Sequence, residues 1–496
     1  MTAFSDIQLR NIQGIGLAGF RKDQQELVFV RFGDTQSAGR LLAGLAPRVA
    51  SAWEVGQFNA LFSEIRRRTR AEGAVKATWV GLGISALGYR KLGVSLEELP
   101  ATEGTAAFLA GMAQRSAQIG DMRPTDAPTQ WLAEFRPGAG VEAVIVVASD
   151  EEDDFDRAVR GVGDLVSGSG CEVAYQERGA TLPGALRGHE HFGFRDGGSQ
   201  PAIEGYDEPP ACGEPAPIQP GEFILGYPDE VGRVVAPGEL WIDGSFIVFR
   251  RLRQDVLAFK ALASTSIPGA SPTLTPAQLA ARMIGRWPSG APLELHRDAD
   301  PGEDHESNAF QYAQAPFSDD DGQKCPRWAH IRKAHPRDET RPDMADPVRR
   351  HRMLRRGIPF GPVLPVEATA DDGQARGLHF LAFVADLDRQ FEFIQRRWLN
   401  DPNFPSGQST PPGQPYDPSP SGVPGDGPDP VVGEYTPGTP CVLRQPSGQH
   451  TFPLPGQPVT VSAGEYFFAP SLRAVQRLGE GATSSSAASP GSGAAS

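Results

Sequence analysis

Two series of short apolar runs alternate with helical patterns along the chain, and this order limits the folds that are open to it. In the first series the predicted strands occupy residues 27–32, 75–82, 141–148 and 171–176. The predicted helices between them occupy residues 37–53, 106–119 and 151–166. β-Branched and aromatic residues mark the strands, and apolar residues at helical spacing mark the helices. The alternation predicts a ferredoxin-like α+β unit, with a sheet packed against helices.

The second series repeats this order later in the chain. Its predicted strands occupy residues 245–252, 377–385 and 464–472, and its predicted helices occupy residues 254–262 and 388–399. A chain of 496 residues exceeds what one hydrophobic core normally supports. We therefore predict an α+β protein with two ferredoxin-like domains, residues 1–215 and 216–480, which meet in the proline-rich residues 209–220.

Two segments lack any such pattern. Residues 401–440 contain 12 prolines and 7 glycines, which exclude regular helix or sheet, so we predict a surface loop inside the second domain. Residues 481–496 are small and of low complexity, and we predict a disordered tail there.

Charge and composition exclude several classes of function. The formal net charge of −14 and the pI of about 5.2 argue against a general nucleic-acid or anionic-membrane binder. No apolar run approaches the roughly 18 residues of a membrane span, and the first residues have neither a basic nor an apolar leader, which favours a cytoplasmic protein. Cys171, Cys212, Cys325 and Cys441 form no CxxC pair, which disfavours a disulfide framework or a zinc knuckle.

His330 lies in the basic stretch CPRWAHIRKAHPR, residues 325–337. His330 lacks the HxxxH or HExxH partners of a zinc site, and a lone histidine is more often structural than a ligand. Haem, however, needs one axial imidazole, because the porphyrin supplies four further ligands. Arg332 and its neighbours could then pair with the haem propionates, which would explain a basic cluster in an acidic protein. His189 and His191 would face one side of a strand, but no third metal ligand lies nearby.

A second candidate segment, HEHFGFRDGG, spans residues 189–198. Asp196 could simply cap a glycine-rich turn. It could also act as an acid–base group, while Gly197 and the other glycines let the backbone pass close to a flat cofactor. Arg355 could be a surface residue, or its guanidinium could stabilise charge that develops on a metal-bound peroxide.

These stretches resemble the signature regions of the dye-decolorizing peroxidases, a family of haem enzymes. The GxxDG motif matches residues 193–197, the proximal-histidine segment matches residues 325–337, and the distal-arginine segment matches MLRRGIPFGP at residues 353–362. Further matches at residues 244–255 and 376–405 follow in family order. The resemblance covers most of the chain apart from the proline-rich loop and the tail.

The resemblance implies two ferredoxin-like domains of the dimeric α+β barrel type, with haem b held chiefly by the second. It implies that His330 is the axial iron ligand and that Asp196 and Arg355 act on the distal side. The residues implied to contact the haem are His330, Arg332, Leu378, Phe380 and Gly197. The positions that depart from the family pattern are Arg327, Trp328 and His335. These departures leave the shape of the pocket and the propionate contacts open.

The implied activity is that of a peroxidase. Hydrogen peroxide would oxidise the haem to a ferryl state, while Asp196 moves a proton and Arg355 stabilises the departing oxygen. Dyes, phenols or other aromatic donors would then return single electrons. Bulky dyes could give electrons at the surface through an aromatic relay, with Trp398 and Tyr466 as candidates that could equally be core residues. A homo-oligomer is compatible with the resemblance.

Two other functions stay open. A haem carrier would keep the fold without useful peroxidase turnover, but a carrier needs neither Asp196 nor Arg355. Some bacterial relatives are the cargo of a protein shell, yet residues 481–496 lack the apolar anchor that a docking peptide needs. The sequence offers no candidate for the acceptor that should orient the ring of His330.

Overall fold

The structure is a computed structural model that describes residues 4–69, 75–121, 131–208, 210–235, 237–302, 305–313, 319, 321–338, 348–405 and 425–484. The strands are β1 (Gln24–Arg31), β2 (Thr78–Ser85), β3 (Ala143–Ser149), β4 (Glu172–Ala180), β5 (Ser245–Gln254), β6 (Leu354–Arg355), β7 (Ile358–Phe360), β8 (Gly377–Val384), β9 (Pro440–Gln445), β10 (Gly448–Pro453) and β11 (Val459–Ala469). Within the described ranges, no helix combines the length and the apolarity that a membrane crossing needs.

Helices precede, connect and follow these strands. The α-helices are α1 (Asp6–Leu9), α2 (Thr35–Leu45), α3 (Ala52–Thr69), α4 (Ala86–Lys91), α5 (Glu103–Ala110), α6 (Met112–Ile119), α7 (Glu152–Ser169), α8 (Val256–Ala263), α9 (Pro276–Ile284), α10 (His330–Ala334) and α11 (Leu472–Ser484). Two π-helical segments, Asp388–Glu392 and Ile394–Leu399, replace the regular helix predicted after β8.

Nine strands form one antiparallel sheet in the order β5, β11, β2, β3, β1, β4, β7, β8, β6. A further pairing between β5 and β8, with Val248 opposite Ala382, closes this sheet into a barrel. The predicted α+β barrel with flanking helices is therefore confirmed. Strands from both halves of the sequence belong to this sheet, and the domain boundary within residues 209–220 stays a prediction.

The core forms where the barrel packs against its helices. β3 is buried along its whole length, and the central residues of β1 are buried as well. Helix α2 contributes Leu41 and Leu45 to this core, and α7 contributes Val162 and Val166. A strand that is covered on both faces needs continuous apolar residues, which explains why these strands are apolar runs and not alternating patterns.

Two predicted helices are each divided in the structure. The helix predicted over residues 37–53 ends at Leu45, and the next helix begins after Ser51, whose hydroxyl accepts the amide N–H of Glu54. The helix predicted over residues 106–119 is broken at Gly111, which has a φ of 78°. Apolar residues continue at helical spacing across both breaks, so periodicity did not reveal them.

The proline-rich residues 401–440 were predicted as a surface loop, and this is wrong for much of what the structure describes there. Asp429 is fully buried, and Val431 and Tyr435 are buried with it. Residues 406–424 lie outside the described residues. Proline removes a backbone donor and so prevents a regular helix or sheet, but it does not prevent burial.

The end of the chain also differs from the sequence-based prediction. Helix α11 extends through Ser484 and so includes the first residues of the predicted tail, whereas residues 485–496 lie outside the described residues. The hairpin of β9 and β10 was not predicted at all. β9 alternates buried and partly exposed residues over only six positions, and β10 has one buried residue, Phe452, so the pattern is short and the adjoining prolines obscure it.

A buried cluster of charges connects three strands of the barrel. Glu177 on β4 accepts two hydrogen bonds of 2.7 Å from Arg251 on β5, and it lies 2.7 Å from Nε2 of His379 on β8. Burial alone would raise the pKa of Glu177, but these bonds outweigh burial and lower the pKa to about 2. The carboxylate is therefore held ionised inside the barrel wall.

We expect Glu177→Gln to destabilise the fold by about 3 kcal/mol at neutral pH, because it leaves Arg251 without its buried counter-charge. The pKa of Glu177 is lowered on folding from 4.5, so the wild type keeps this stabilisation above about pH 4.5 and loses it as the pH falls towards about 2. Urea unfolding gives the free energy of unfolding of the wild type and of Glu177→Gln at both ends of this pH range. The difference between the two proteins should be smaller at the acidic end. Glu172→Gln, on an exposed carboxylate of the same strand, is the control.

Candidate active site

A cavity of about 460 Å³ is lined by strands β5, β8 and β11 and by helix α10. The strand residues on its lining are Arg250, Leu252, Gln254, Leu378, Phe380, Val459, Thr460 and Val461. Successive side chains of a strand point to opposite faces, so Arg251 and His379 turn to Glu177 while their neighbours turn to the cavity. The volume lies in the range of cofactor and small-molecule sites, roughly 300–1,000 Å³.

His330 is the first residue of α10 and lies on the cavity lining. Its Nδ1 lies 2.7 Å from Oδ2 of Asp429, and Oδ1 of Asp429 accepts the N–H groups of Val431 at 2.8 Å and Val432 at 3.1 Å. Burial lowers the pKa of His330, but the Asp429 carboxylate outweighs burial, so the pKa is raised above its ordinary value. Because Nδ1 is engaged, Nε2 is the ring nitrogen left to bind a metal ion.

Asp429, the partner of the His330 ring, was not predicted from the sequence. It lies 99 residues from His330 along the chain, inside the segment predicted as a surface loop. No motif spacing connects two positions so far apart. The available signal was weak: Asp426 and Asp429 are the charged residues within the otherwise uncharged residues 425–433. A metal-binding histidine needs an acceptor for its second nitrogen, and one of these two acids provides it.

The structure brings Asp196 and Arg355 together at the same cavity. Nη1 of Arg355 lies 3.8 Å from Oδ1 of Asp196, and the two side chains are 30% and 39% exposed. The backbone N–H of Arg355, on β6, donates to Oε1 of Gln200 at 3.0 Å, and the N–H of Gly197 donates to Oδ1 of Asp196 at 2.7 Å. A carboxylate and a guanidinium that are loosely paired and open to one space can act on the same small molecule.

Gly197, Leu378 and Phe380 also lie on the cavity lining, as predicted for residues that contact a flat cofactor. Gly197 has a φ of 87°, and no atom beyond its chain neighbours lies within 4 Å of the place where a Cβ would stand. Its backbone therefore faces open space. Leu378 and Phe380 are two residues apart on β8, so both present apolar side chains to one face.

Arg332 does not occupy its predicted place. Its side chain is fully buried, and it donates to Oδ2 of Asp319 at 3.0 Å and to the backbone oxygen of Asp319 at 2.9 Å. The guanidinium lies over the ring of Tyr312, 4.4 Å from its centroid. Residues two apart on a helix face different directions, so His330 can reach the cavity while Arg332 points into the protein. The predicted contact between Arg332 and a haem propionate therefore does not fit the structure.

Arg352 is the cation on the cavity lining that fits an anionic group. Burial, together with the charges of Arg337 and Arg355, lowers the pKa of Arg352 to about 9. His335, also on the lining, has its pKa lowered by burial and by the same three arginines. A carboxylate placed among these cations would relieve their repulsion. Together with the imidazole of His330, these cations fit the iron and propionates of a haem.

Four further candidate residues, two for a metal site and two for an electron relay at the surface, have different surroundings in the structure: His189, His191, Trp398 and Tyr466. Nδ1 of His189 lies 3.1 Å from a backbone oxygen, as does Nε2 of His191 at 2.8 Å. Across the residues that the structure describes, no group of three or more potential metal ligands occurs. Trp398 and Tyr466 are both buried, and the Tyr466 hydroxyl donates to Glu392 at 2.8 Å. Neither aromatic side chain reaches the surface, and their role in a relay stays a prediction.

The chain is similar to known proteins over most of its length. A family model described as the DyP dimeric alpha+beta barrel domain matches residues 11–183. A dye-decolorizing peroxidase of Exidia glandulosa is 32% identical, over 95% of this chain and 87% of that protein. The multifunctional dye peroxidase DyP2 of an Amycolatopsis strain is 30% identical, over 92% of this chain and 93% of that protein.

Solved structures give the same result. The structure of an ancestral D-type dye-decolorizing peroxidase has a TM-score of 0.78 and 31% identity, over 94% of this chain and 98% of that chain. A dye-decolorizing peroxidase in complex with 2,6-dimethoxyphenol has a TM-score of 0.76 and 30% identity, over 95% of this chain and 99% of that chain. At this identity and coverage, the similarity concerns the whole architecture and not one domain alone.

We expect Asp429→Asn to lower the pKa of His330 in the haem-free protein, because burial then acts without the opposing carboxylate. The asparagine oxygen can still accept the N–H groups of Val431 and Val432, so the fold should persist. NMR titration of labelled histidine measures the change. Asp426→Asn is the control, because this buried acid pairs with Arg327 and not with His330. An unchanged or raised pKa in Asp429→Asn would contradict the assignment.

Proposed function

The chain belongs to the dye-decolorizing peroxidase family and is a peroxidase, and from this premise we propose that it uses hydrogen peroxide to oxidise aromatic donors at a haem b group in the cavity beside His330. The observation that carries the proposal is the convergence of His330, Asp196 and Arg355 on one cavity. The members of this family are haem enzymes. The proposal thus assigns each part of a peroxidase site to residues that the fold has gathered.

Five residues would hold the haem. His330 would bind the iron through Nε2, Leu378 and Phe380 would offer apolar contacts to the porphyrin, and Gly197 would leave room for it. Arg352 would pair with a propionate in the place first predicted for Arg332. When bound, haem supplies the redox chemistry: it would take up the two oxidising equivalents of the peroxide and then accept electrons from the donors one at a time. Asp429 would fix the ring of His330 and increase the electron donation of its nitrogen.

Asp196 and Arg355 would act on the peroxide itself. The Asp196 carboxylate accepts the proton of the inner oxygen and returns it to the outer oxygen, which then leaves as water. The Arg355 guanidinium stabilises the negative charge that develops on the leaving oxygen as the O–O bond breaks. Arg355 can do so because Gln200 fixes its backbone and because its side chain pairs only loosely with Asp196.

Aromatic compounds are the electron donors that we propose. A relative has been solved in complex with 2,6-dimethoxyphenol, and other relatives are named for dye decolorization. Phenols and dyes therefore form the expected substrate class. A haem carrier or a shell-bound cargo has no observation in its favour, and a carrier would not need the carboxylate and guanidinium that face the cavity.

We expect Asp196→Asn to bind haem like the wild type and to react with hydrogen peroxide about 10²- to 10⁴-fold more slowly, because the asparagine cannot accept the proton. Stopped-flow absorption of the haem-loaded proteins measures the rate constant. Glu208→Gln, at an exposed acid in the segment that follows, is the control and should react normally. Equal rates in all three proteins would remove Asp196 from the mechanism, and haem binding without any peroxide reaction in the wild type would favour a carrier.

We expect Arg352→Leu to release haem about ten-fold faster or more, because a charge-assisted bond to a propionate is lost. The haem-free variant should be no less stable than the wild type, since Arg352 is a partly buried cation among like charges. Arg332→Leu should instead destabilise the fold by about 3 kcal/mol, because Asp319 loses its buried partner. Haem transfer to an acceptor protein and urea unfolding separate the two effects. Faster haem release from Arg332→Leu without a loss of stability, together with normal haem release from Arg352→Leu, would restore Arg332 as the propionate contact.

A further inference from the structure

Glu190 lines the same cavity as Asp196 but has no part in the reaction proposed above. It belongs to a tight hairpin that carries Asp196. The N–H of Asp196 donates to the oxygen of Gly188 at 3.1 Å, and the N–H of Glu190 donates to the oxygen of Phe194 at 3.0 Å. Between these bonds His189 forms an antiparallel bridge with Arg195. The position of Asp196 therefore depends on how firmly this hairpin is closed.

The side chain of Glu190 closes the tip of the hairpin. Its Oε2 accepts the N–H of Phe192 at 2.8 Å, and its Oε1 accepts the N–H of Phe194 at 3.0 Å. Nε2 of Gln254, on β5, also donates to Oε2. One carboxylate thus satisfies two backbone donors of the turn and ties the turn to the barrel wall.

Apolar packing makes this carboxylate necessary. Phe192 stacks on Phe259 of α8 with 4.3 Å between ring centroids, and Phe194 meets the same ring edge-on at 6.0 Å. Phe194 is buried and Phe192 is half-buried, so this packing shields the backbone between them from solvent in part. Donors in such a place need a protein acceptor, since an unpaired buried N–H costs roughly 1–3 kcal/mol.

The charge of Glu190 is coupled to that of Asp196. Burial raises the pKa of Glu190, and the Asp196 charge adds to this rise. The N–H groups of Phe192 and Phe194 and the amide of Gln254 oppose it, and the resulting pKa is about 7. Among these groups Asp196 is the charged one. The ionisation of Glu190 therefore responds to the charge of the proposed acid–base residue.

We propose that Glu190 is a positioning residue for Asp196: its carboxylate holds the hairpin that carries Asp196 at the cavity, and it holds that hairpin most firmly when ionised. The proposal rests on the proposed role of Asp196. An ionised carboxylate accepts all three N–H bonds, whereas a protonated one turns one oxygen into a donor and loses acceptor capacity. The hairpin should therefore be tight above about pH 7 and looser as the pH falls through that value.

The variant that tests this is Glu190→Gln, which keeps the shape of the side chain but places an amide donor against N–H groups. Glu465→Gln is the matched control. Burial likewise raises the pKa of Glu465 to about 7, and its Oε1 accepts the N–H groups of Met112 at 3.2 Å and Tyr466 at 2.7 Å. Glu465 is not on the cavity lining. The two variants therefore remove similar interactions at different places.

The first readout is amide hydrogen exchange of the haem-free proteins, corrected for intrinsic rates. In Glu190→Gln the amides of Phe192 and Phe194 should exchange about ten-fold faster than in the wild type at about pH 8, and the gap should shrink at about pH 5. Glu465→Gln should leave these amides unchanged at both pH values. Unchanged exchange in Glu190→Gln would overturn the proposal. If that variant does not fold, Gln254→Met removes one donor to the same carboxylate and should speed the exchange less.

The second readout is the reaction of the haem-loaded proteins with hydrogen peroxide. Glu190→Gln should react about 10- to 100-fold more slowly at about pH 8 and keep its haem, with a smaller deficit at about pH 5. A faster exchange with an unchanged peroxide rate, or a deficit that is equal at both pH values, would reduce Glu190 to a purely structural residue. If the wild type does not react with peroxide, the proposed function fails, and the exchange data alone decide whether Glu190 holds the hairpin.

Discussion

The pairing of β5 with β11 on one side and with β8 on the other is the constraint on which the rest of the structure depends. It closes the sheet, and the alternation of side chains along each strand then separates two environments. Arg251 and His379 turn to Glu177, which forms a buried ion pair with Arg251 within the barrel. Their neighbours on the same strands, among them Leu252 and Phe380, turn the other way and form the wall of the cavity.

Like charges lie close together on one part of the cavity lining. The protein carries a net charge of −14, yet Arg352 and Arg355 meet on one lining, where the charge of Arg355 lowers the pKa of Arg352. Such an arrangement stores unfavourable energy until an anion is bound, which is typical of a site built for a charged group. The carboxylate of Asp429 acts on the same lining at His330, where it raises the pKa of the imidazole.

Two carboxylates, Asp429 and Glu190, position His330 and Asp196 in the same way. Asp429 accepts two backbone N–H groups and orients His330, and Glu190 accepts two backbone N–H groups and closes the hairpin of Asp196. In both cases the carboxylate does not touch the reacting atoms. It restricts the conformational freedom of the residue that would contact them. Preorganisation of this kind lowers the reorganisation that a reaction would otherwise require.

The sequence by itself determined seven strands of the barrel sheet and several of its helices, because apolar periodicity is a local property of the chain. Its motifs singled out His330, Asp196 and Arg355. Only the tertiary structure decided which distant segments meet. Asp429 lies 99 residues from its partner. Arg332 and Arg352 are equivalent cations in the sequence, yet one is buried against Asp319 and the other lines the cavity. Contacts of this kind depend on the closure of the barrel and the route of the loops, which no local spacing encodes.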